Sequence, residues 1–328
     1  MQQIRLGTIG SGFIVRTILE CVRQTPGIRL EAVYSRSQHT GQELARQFGA
    51  EKVYTDMDAF LQDGDINFVY VASPNILHYQ QAKQALLAGK NVICEKPFCP
   101  KAEQVRELVA LAKEKGLYLI DAVPPSFMPH FRLVKQLLPQ IGPIRLVMSN
   151  FSQYSSRYNN LLAGEMPNIF NPEFAGGCLM DINFYNIFFN VAFFGKPKSI
   201  RYYPTLHQGV ADISGVALLH YEGFQSMAAG AKDTWGENFF QIEGEQGYIY
   251  IRDGSCALTE VTLVTKEGRQ TFNLQELPDR WIYEVQGIVK LVQENSTEEL
   301  DRRLELTVDV IETLEAARLS AGLRFPCD

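Results

Sequence analysis

The sequence predicts an α/β chain of two domains: a doubly wound parallel sheet, then an α+β domain built on a large, mainly antiparallel open sheet. Three observations carry that expectation. Up to Asp121, short apolar runs rich in Val, Ile and Tyr alternate with amphipathic stretches of helical period. Beyond Ile200 the runs follow one another across Gly, Asp and Glu turns with no long helix between them. A length of 328 residues suits two domains, each able to bury a core.

Taken in order, IRLGTIG is a strand followed by a helical pattern to Cys21 and Val22, then strand IRLEAVYS, a helix from Thr40 to Phe48, and KVY. INFVYVAS, a helix from His78 to Ala88, NVICE, a helix from Ala102 to Lys115, and LYLID complete the alternation. Runs apolar on both faces are what a parallel sheet covered by helices requires. The domain cut is therefore expected between 122 and 123, giving 1–122 and 123–328. After it come a helix from Phe131 to Leu138, the strand RLVMSNFS, and the strands IRYYPTL, SGVALLHY, FQSMAAGA, NFFQIEG, GYIYIRD, EVTLVT and RQTFNL. Helices from Trp281 to Gln293 and from Glu298 to Leu319 close the chain.

Composition narrows the function. With 46% hydrophobic and 21% charged residues, a formal charge of −6 and no basic run, the chain lacks the clustered Lys and Arg that a phosphate backbone demands, so nucleic acid is not an expected partner. No stretch of about 18 residues is uninterruptedly apolar and no leader pattern opens the sequence, so no membrane partner is expected and the expected location is cytoplasmic. The six cysteines lie scattered without CxxC spacing, and the histidines have no mutual spacing suited to a metal, so reduced, buried thiols and no metal site are expected.

Gly10-Ser11-Gly12 follows the first strand and opens an amphipathic helix. In that context Gly10 permits a tight turn, Gly12 lets backbone N–H groups approach a pyrophosphate, and the helix N-terminus favours its charge. Phe13 and Ile14, which open the helix, join the loop as cofactor-binding candidates. The third small residue of GxGxxG is replaced by Val15. The first domain is thus expected to be a Rossmann dinucleotide-binding domain.

An acidic residue at the end of the second strand ordinarily holds the ribose hydroxyls of NAD. Here that strand ends in Ser35-Arg36-Ser37. Arg36 could form a charge-assisted fork with a ribose 2′-phosphate and Ser35 or Ser37 a hydrogen bond, which favours NADP, with NAD use left open. The alternative is an arginine on a solvated loop.

In VICEKPFCP, Glu95 and Lys96 end an apolar strand and Pro97 follows at once. Ligands of open α/β sheets lie outside the carboxyl ends of the strands, so Lys96 points at whatever fills the cleft. Pro97 keeps the Lys96 backbone out of the helical region, and X-Pro bonds admit the cis form.

ASPNILHYQQAKQALLAGKNVICEKPF (Ala72 to Phe98) resembles the signature of the Gfo/Idh/MocA oxidoreductases, the glucose-fructose oxidoreductase and inositol dehydrogenase family. The resemblance runs the length of the chain and includes the glycine loop, Ser73-Pro74-Asn75, Glu95-Lys96-Pro97, FMPHFRLVKQLL, IGPIRLV and GGCLMDINFYN. It implies that Ser73, Pro74, Asn75, His78, Glu95 and Lys96 line the cofactor region, with Lys96 facing nicotinamide and substrate. Asn75 as a helix cap, His78 on a first helical turn and Glu95 as a loop anchor are the plain structural readings of the same residues. The resemblance also implies that Asp181 and Tyr185 of Asp181-Ile182-Asn183-Phe184-Tyr185 contribute an aspartate and the acid/base residue. Tyr185 places the chain nearer the tyrosine-bearing branch, which includes dimeric dihydrodiol dehydrogenase, and Asn183 replaces the usual glycine.

The residues themselves agree with those roles. Asp181 and Tyr185 stand i,i+4, so a helical segment would project both from one face. A neighbouring Lys96 ammonium would favour the phenolate of a tyrosine, whose free value near 10 is high for proton transfer at neutrality. The plain alternative for Tyr185 is a core aromatic in the run INFYNIFFNVAFF. The expected activity is hydride transfer between NAD(P) and a hydroxyl-bearing or carbonyl carbon of a sugar, polyol or cyclic diol, with Lys96 and Tyr185 as proton-transfer pair. The segments around Tyr154 to Asn160 and Trp235 are the expected specificity loops. A homodimer or homotetramer through the second sheet is implied by the resemblance. Two other readings stand beside this one: a dinucleotide-binding sensor without catalysis, and a glycosidase-type enzyme with a recycled nicotinamide.

Overall fold

The computed structural model describes residues 3–328, which divide into two compact units. The first runs to Pro124 and takes in Leu277–Val308; the second comprises Pro125–Glu276 and Asp309–Asp328.

In chain order the first unit begins with β1 (Ile4–Ile9), α1 (Phe13–Gln24), β2 (Ile28–Tyr34), α2 (Gln38–Phe48), β3 (Lys52–Tyr54) and α3 (Met57–Gln62). It continues with β4 (Phe68–Val71), α4 (His78–Leu87), β5 (Asn91–Glu95), α5 (Ala102–Lys115) and β6 (Leu119–Ala122). The six strands pair in parallel in the order β3-β2-β1-β4-β5-β6. All of β4 and β5 is buried, as strands covered on both faces must be. Ser37 caps α2 by accepting from Thr40 N at 3.4 Å, and Gly49, left-handed at φ 78°, ends that helix. The short α3, which sequence periodicity did not reveal, is announced by its Asp56 cap, accepting from Ala59 N at 2.8 Å.

The second unit contains α6 (Pro129–Leu137), β7 (Ile144–Ser152), α7 (Tyr158–Leu162), α8 (Cys178–Asp181) and α9 (Asn183–Phe194). Then follow β8 (Ser199–His207), β9 (Ala211–Tyr221), β10 (Phe224–Ala231), β11 (Phe239–Gly244), β12 (Gly247–Arg252), α10 (Gly254–Ala257), β13 (Glu260–Thr265) and β14 (Gly268–Phe272). These strands form an eight-stranded sheet ordered β14-β13-β12-β11-β7-β10-β9-β8, antiparallel except where β10 runs parallel to β7. Helix α9 is buried from Asn183 to Val191, with aromatic and aliphatic side chains over most of its surface and a stripe of Asn183, Asn186 and Asn190 along one face; Phe189 packs edge-on to Phe240 of β11 at 5.5 Å.

The last two helices, α11 (Arg280–Gln293) and α12 (Thr297–Ser320), differ from the expected division at 122/123, which assigned everything after it to the second domain. Leu277–Val308 belongs with the first unit. The reason is a packing face: Ile282, Val285, Ile288 and Val289 of α11 are buried, and Val289 and Gln293 close over the turn at Gly27, where a Cβ would come within 2.9 Å of Val289. Among the described residues no helix is long and apolar enough to cross a membrane.

That packing also buries acids. Glu95, Asp121 and Glu284 are all buried in the first unit, Glu284 to 1% exposure with neither carboxyl oxygen hydrogen-bonded among the described residues. Tyr70 donates to Glu95 at 2.5 Å and Thr307 to Asp121 at 2.7 Å. Burial, with Glu95 adding, pushes Asp121 up to about 7; burial, then the Glu95 and Asp121 charges, raises Glu284 well above the usual carboxylate range. A carboxyl raised on folding contributes its full stability below its unfolded value, near 4, and loses it as pH rises through the folded value. Glu284→Gln is therefore expected to raise Tm at pH 8 by about 3 °C or more over the wild type and by far less at pH 5, read by scanning calorimetry. A difference that does not change with pH would contradict the assignment.

Candidate active site

The strand order of the first unit reverses between β1 and β4, and the residues after these strands meet. Gly10, at φ +118°, follows β1 so closely that a Cβ would stand 2.6 Å from the Ala72 carbonyl oxygen, so a side chain there is excluded twice over. Gly12 is the N-cap of α1 with extended backbone, no side-chain cap and no acid in the first turn. A Cβ on Gly12 would meet nothing within 4 Å, so the open N–H groups of a twelve-residue helix face clear space. This cradle fits a pyrophosphate. Ser11 and Ile14 flank it half-buried, Phe13 is 77% exposed, and Val15, the departure from the small third residue, is wholly buried in the core.

At the end of β2, Ser35 is buried and its hydroxyl accepts from Ser37 N at 3.3 Å, while Arg36 is exposed and pairs with no carboxylate among the described residues. Ser37 doubles as the cap of α2, which keeps its hydroxyl on the same edge.

After β4, Ser73 donates to Gln81 at 2.6 Å and Pro74 precedes a single 3-10 turn, Asn75–Leu77. Asn75 therefore begins a turn and does not cap α4, whose cap position is Leu77. His78, first residue of α4, is buried, with Nε2 2.8 Å from the Ser73 carbonyl and Nδ1 3.0 Å from that of Pro97. Its ring straps the loop after β4 to the loop after β5. Burial lowers its proton affinity against those carbonyls, and a neutral ring has one N–H to give, so one contact at a time is a donated hydrogen bond. Beyond it Glu95 is buried, its Oε2 accepting from Lys96 N at 3.2 Å, and the Lys96-Pro97 peptide is cis. Lys96 is half-buried. Glu95 thus anchors the loop that carries Lys96.

In the second unit the expected single helix through Asp181 and Tyr185 is broken: α8 ends at Asp181, Ile182 is the joint, and α9 starts at Asn183. Leu179 N, an unpaired first-turn donor of α8, donates to Asp212 at 2.8 Å and so caps the start of that helix and ties it to β9. Asp181 is half-buried beside Lys232, whose Nζ donates to Asp181 Oδ2. Tyr185 is buried on α9, its ring edge-on to Phe151 at 5.9 Å. Asn183, where the resemblance implies a glycine, is also buried: its Nδ2 donates to the Ala228 carbonyl at 3.1 Å and its Oδ1 accepts from Asn186 at 3.0 Å. The room comes from β10, where a Cβ on Gly230 would lie 2.8 Å from that of Asn183.

Two features escaped the sequence reading. Lys232 directly follows the apolar strand β10, the same signal that singled out Lys96. Asp212 is buried on β9 with Tyr202 donating to it at 2.8 Å, and burial pushes its carboxyl up to about 7. Tyr154 and Trp235, both expected in specificity loops, do come together: their rings stack at 6.1 Å with an 8° interplanar angle, and Trp235 is 79% exposed.

Residues 4–122 match the family model described as an oxidoreductase family with an NAD-binding Rossmann fold, and 131–250 match the GFO/IDH/MocA C-terminal domain. A scyllo-inositol 2-dehydrogenase (NADP(+)) of Bacillus subtilis (strain 168) is 32% identical over 326 residues, covering 99% of each chain. The chain belongs to the GFO/IDH/MocA oxidoreductase family. It is an NAD(P)-dependent oxidoreductase. A trans-1,2-dihydrobenzene-1,2-diol dehydrogenase of Sus scrofa is 27% identical over 344 residues, again covering 99% of each chain. The fold of this chain is similar to that of a 3-ketoreductase from Actinomadura kijaniata in complex with NADP and TDP-benzene, at TM-score 0.84 and 23% identity over 97% of this chain and 98% of that one.

The Asn183–Gly230 fit is open to test. Gly230→Ala is expected to overpack the joint by about 1–3 kcal/mol and lower Tm, and Asn183→Gly in the same chain to recover it. An unchanged Tm in the single variant would show that the joint yields.

Proposed function

We propose that this oxidoreductase prefers NADP and acts on a sugar, polyol or cyclic diol, with Lys96 and Tyr185 moving the proton of the reacting hydroxyl and Asp181 accepting a second hydroxyl. The observation that carries the reading is the uncapped, unobstructed start of α1 together with Lys96 following β5 at the carboxyl edge of the same sheet. Gly10, Ser11, Gly12, Phe13 and Ile14 would hold the pyrophosphate, and Ser35, Arg36 and Ser37 the ribose 2′-phosphate. Ser73, Pro74, Asn75 and Glu95 would shape the nicotinamide end, with His78 bracing them from below. The bound nicotinamide supplies or takes up the hydride.

The named relatives support the substrate class: one acts on scyllo-inositol with NADP(+) and the other on a trans-dihydrodiol. Arg36 without a neighbouring acid supports the cofactor choice. Lys96, a cation beside the reacting oxygen, would favour the phenolate of Tyr185 as proton acceptor. Neither the sensor nor the glycosidase reading is favoured by an observation. The enzyme is proposed to be cytoplasmic and to assemble as a homodimer or homotetramer through the second sheet. Tyr203, Leu218 and Met227, exposed on one face of it, support that assembly.

With scyllo-inositol and NADP+ as the assay pair, Lys96→Ala and Tyr185→Phe are each expected to lower kcat by about 10²–10⁴-fold. Fluorescence titration should show NADPH affinity retained, and turnover surviving in both variants would reject the pair. Arg36→Ala should cost about tenfold or more in NADPH affinity, roughly 1.4 kcal/mol, and leave NADH unchanged; an unaltered preference would reject the NADP reading.

A further inference from the structure

Lys232 is 2% exposed, a position at which an ammonium persists when it is paired. Its backbone is fastened on both sides: its N–H donates to the Ile213 carbonyl at 2.8 Å and its carbonyl accepts from Ser155 N at 2.8 Å. The head group lies 5.1 Å from the centroid of the Phe170 ring and donates to Asp181 Oδ2. Asp212 is the other buried acid that feels this charge. Its oxygens accept from Tyr202 and Leu179, each at 2.8 Å, and the hydrogen bond of Lys232 goes to Asp181.

We propose that Lys232 is a positioning residue for the reaction: it fixes the Asp181 carboxylate as an oriented acceptor, and through it selects substrates that offer neutral hydroxyl donors. This rests on the proposed role of Asp181. An ionised carboxylate has about four acceptor positions, so a fixed bond from Lys232 sets the direction in which the others face. A lysine held at N–H, carbonyl and head group has little freedom to follow a displaced partner, so orientation passes from the sheet to Asp181. The same lysine anchors the loop of Ser155, one residue from Tyr154, whose ring stacks on Trp235. The acceptor and the aromatic pair are thereby referred to one backbone position.

The test is a mutant cycle of Lys232→Met, Asp181→Asn and the double variant, with Lys232→Arg as the conservative control, using scyllo-inositol and NADP+ as the probe. Lys232→Met should raise KM for the polyol about tenfold or more while kcat changes by less than about threefold, Lys232→Arg should restore much of the loss, and the effect on kcat/KM should vanish in the Asp181→Asn background. A lysine that serves the fold alone would lower Tm and leave KM unmoved; that result, or additive effects on kcat/KM, would overturn the proposal. Tm gives a readout independent of turnover. Asp181→Asn should lower it by stranding the buried charge, and Lys232→Met in the same chain should recover it. If the wild type does not turn over the probe, the reaction reading falters separately, and additive Tm losses would then overturn the pairing on which the positioning role depends.

Discussion

A parallel sheet wound outward in both directions from β1 and β4 leaves a crevice at the carboxyl ends of those strands, and the first unit is organised around it. The crevice exists because backbone meets backbone there: Gly10 lies against the Ala72 carbonyl so tightly that a methyl group could not intervene. That contact sets where α1 begins and leaves its first-turn N–H groups in clear space. It also brings the loops after β4 and β5 near enough for one buried imidazole, His78, to span them. Lys96 inherits its position from this chain of contacts, since the residue before it is anchored by Tyr70 and the residue after it by His78.

The second unit solves a different problem, the burial of charge and polarity beside a Phe-rich helix. Asp212, Lys232, Asn183 and Asn186 are placed inside an apolar environment, and each has a partner: Tyr202 and Leu179 N for Asp212, Asp181 for Lys232, the Ala228 and Ala229 carbonyls for the two asparagines. Ser255 closes the set by donating to Asn186 at 2.7 Å. Polar groups satisfied in this way specify one arrangement of α8 and α9 against β9 and β10, because any slip would strand several of them at once. The joint at Ile182 is thus held by hydrogen bonds that lie far apart in sequence.

Glu284 of the first unit is a counterexample within the same molecule. Glu284 is carried into the interior on the apolar face of α11, with no hydrogen-bond partner for either oxygen among the described residues, near Glu95 and Asp121. Burial of this kind disfavours the charged form and makes the attachment of α11 sensitive to pH. The hydrophobic gain of Ile282, Val285, Ile288 and Val289 is what offsets it.

Much of this was legible in the sequence. Alternation of apolar runs with amphipathic helices determined the parallel sheet, because strands buried on both faces must be apolar throughout. The glycines at 10 and 12, the serine-arginine end of β2 and the EKP lysine, which stand at the carboxyl ends of their strands, could be singled out because local backbone geometry and charge are properties of a few adjacent residues. What tertiary structure decided was everything that depends on distant partners. The capping of α8 comes from Asp212, the tolerance of Asn183 comes from Gly230, and the attachment of Leu277–Val308 to the first unit comes from the packing of α11 over the turn at Gly27. The commitment of Lys232 to Asp181 belongs with these, since sequence spacing cannot tell which buried acid a buried lysine will meet. A one-dimensional pattern records which residues prefer the interior, and the fold alone determines which of them share it.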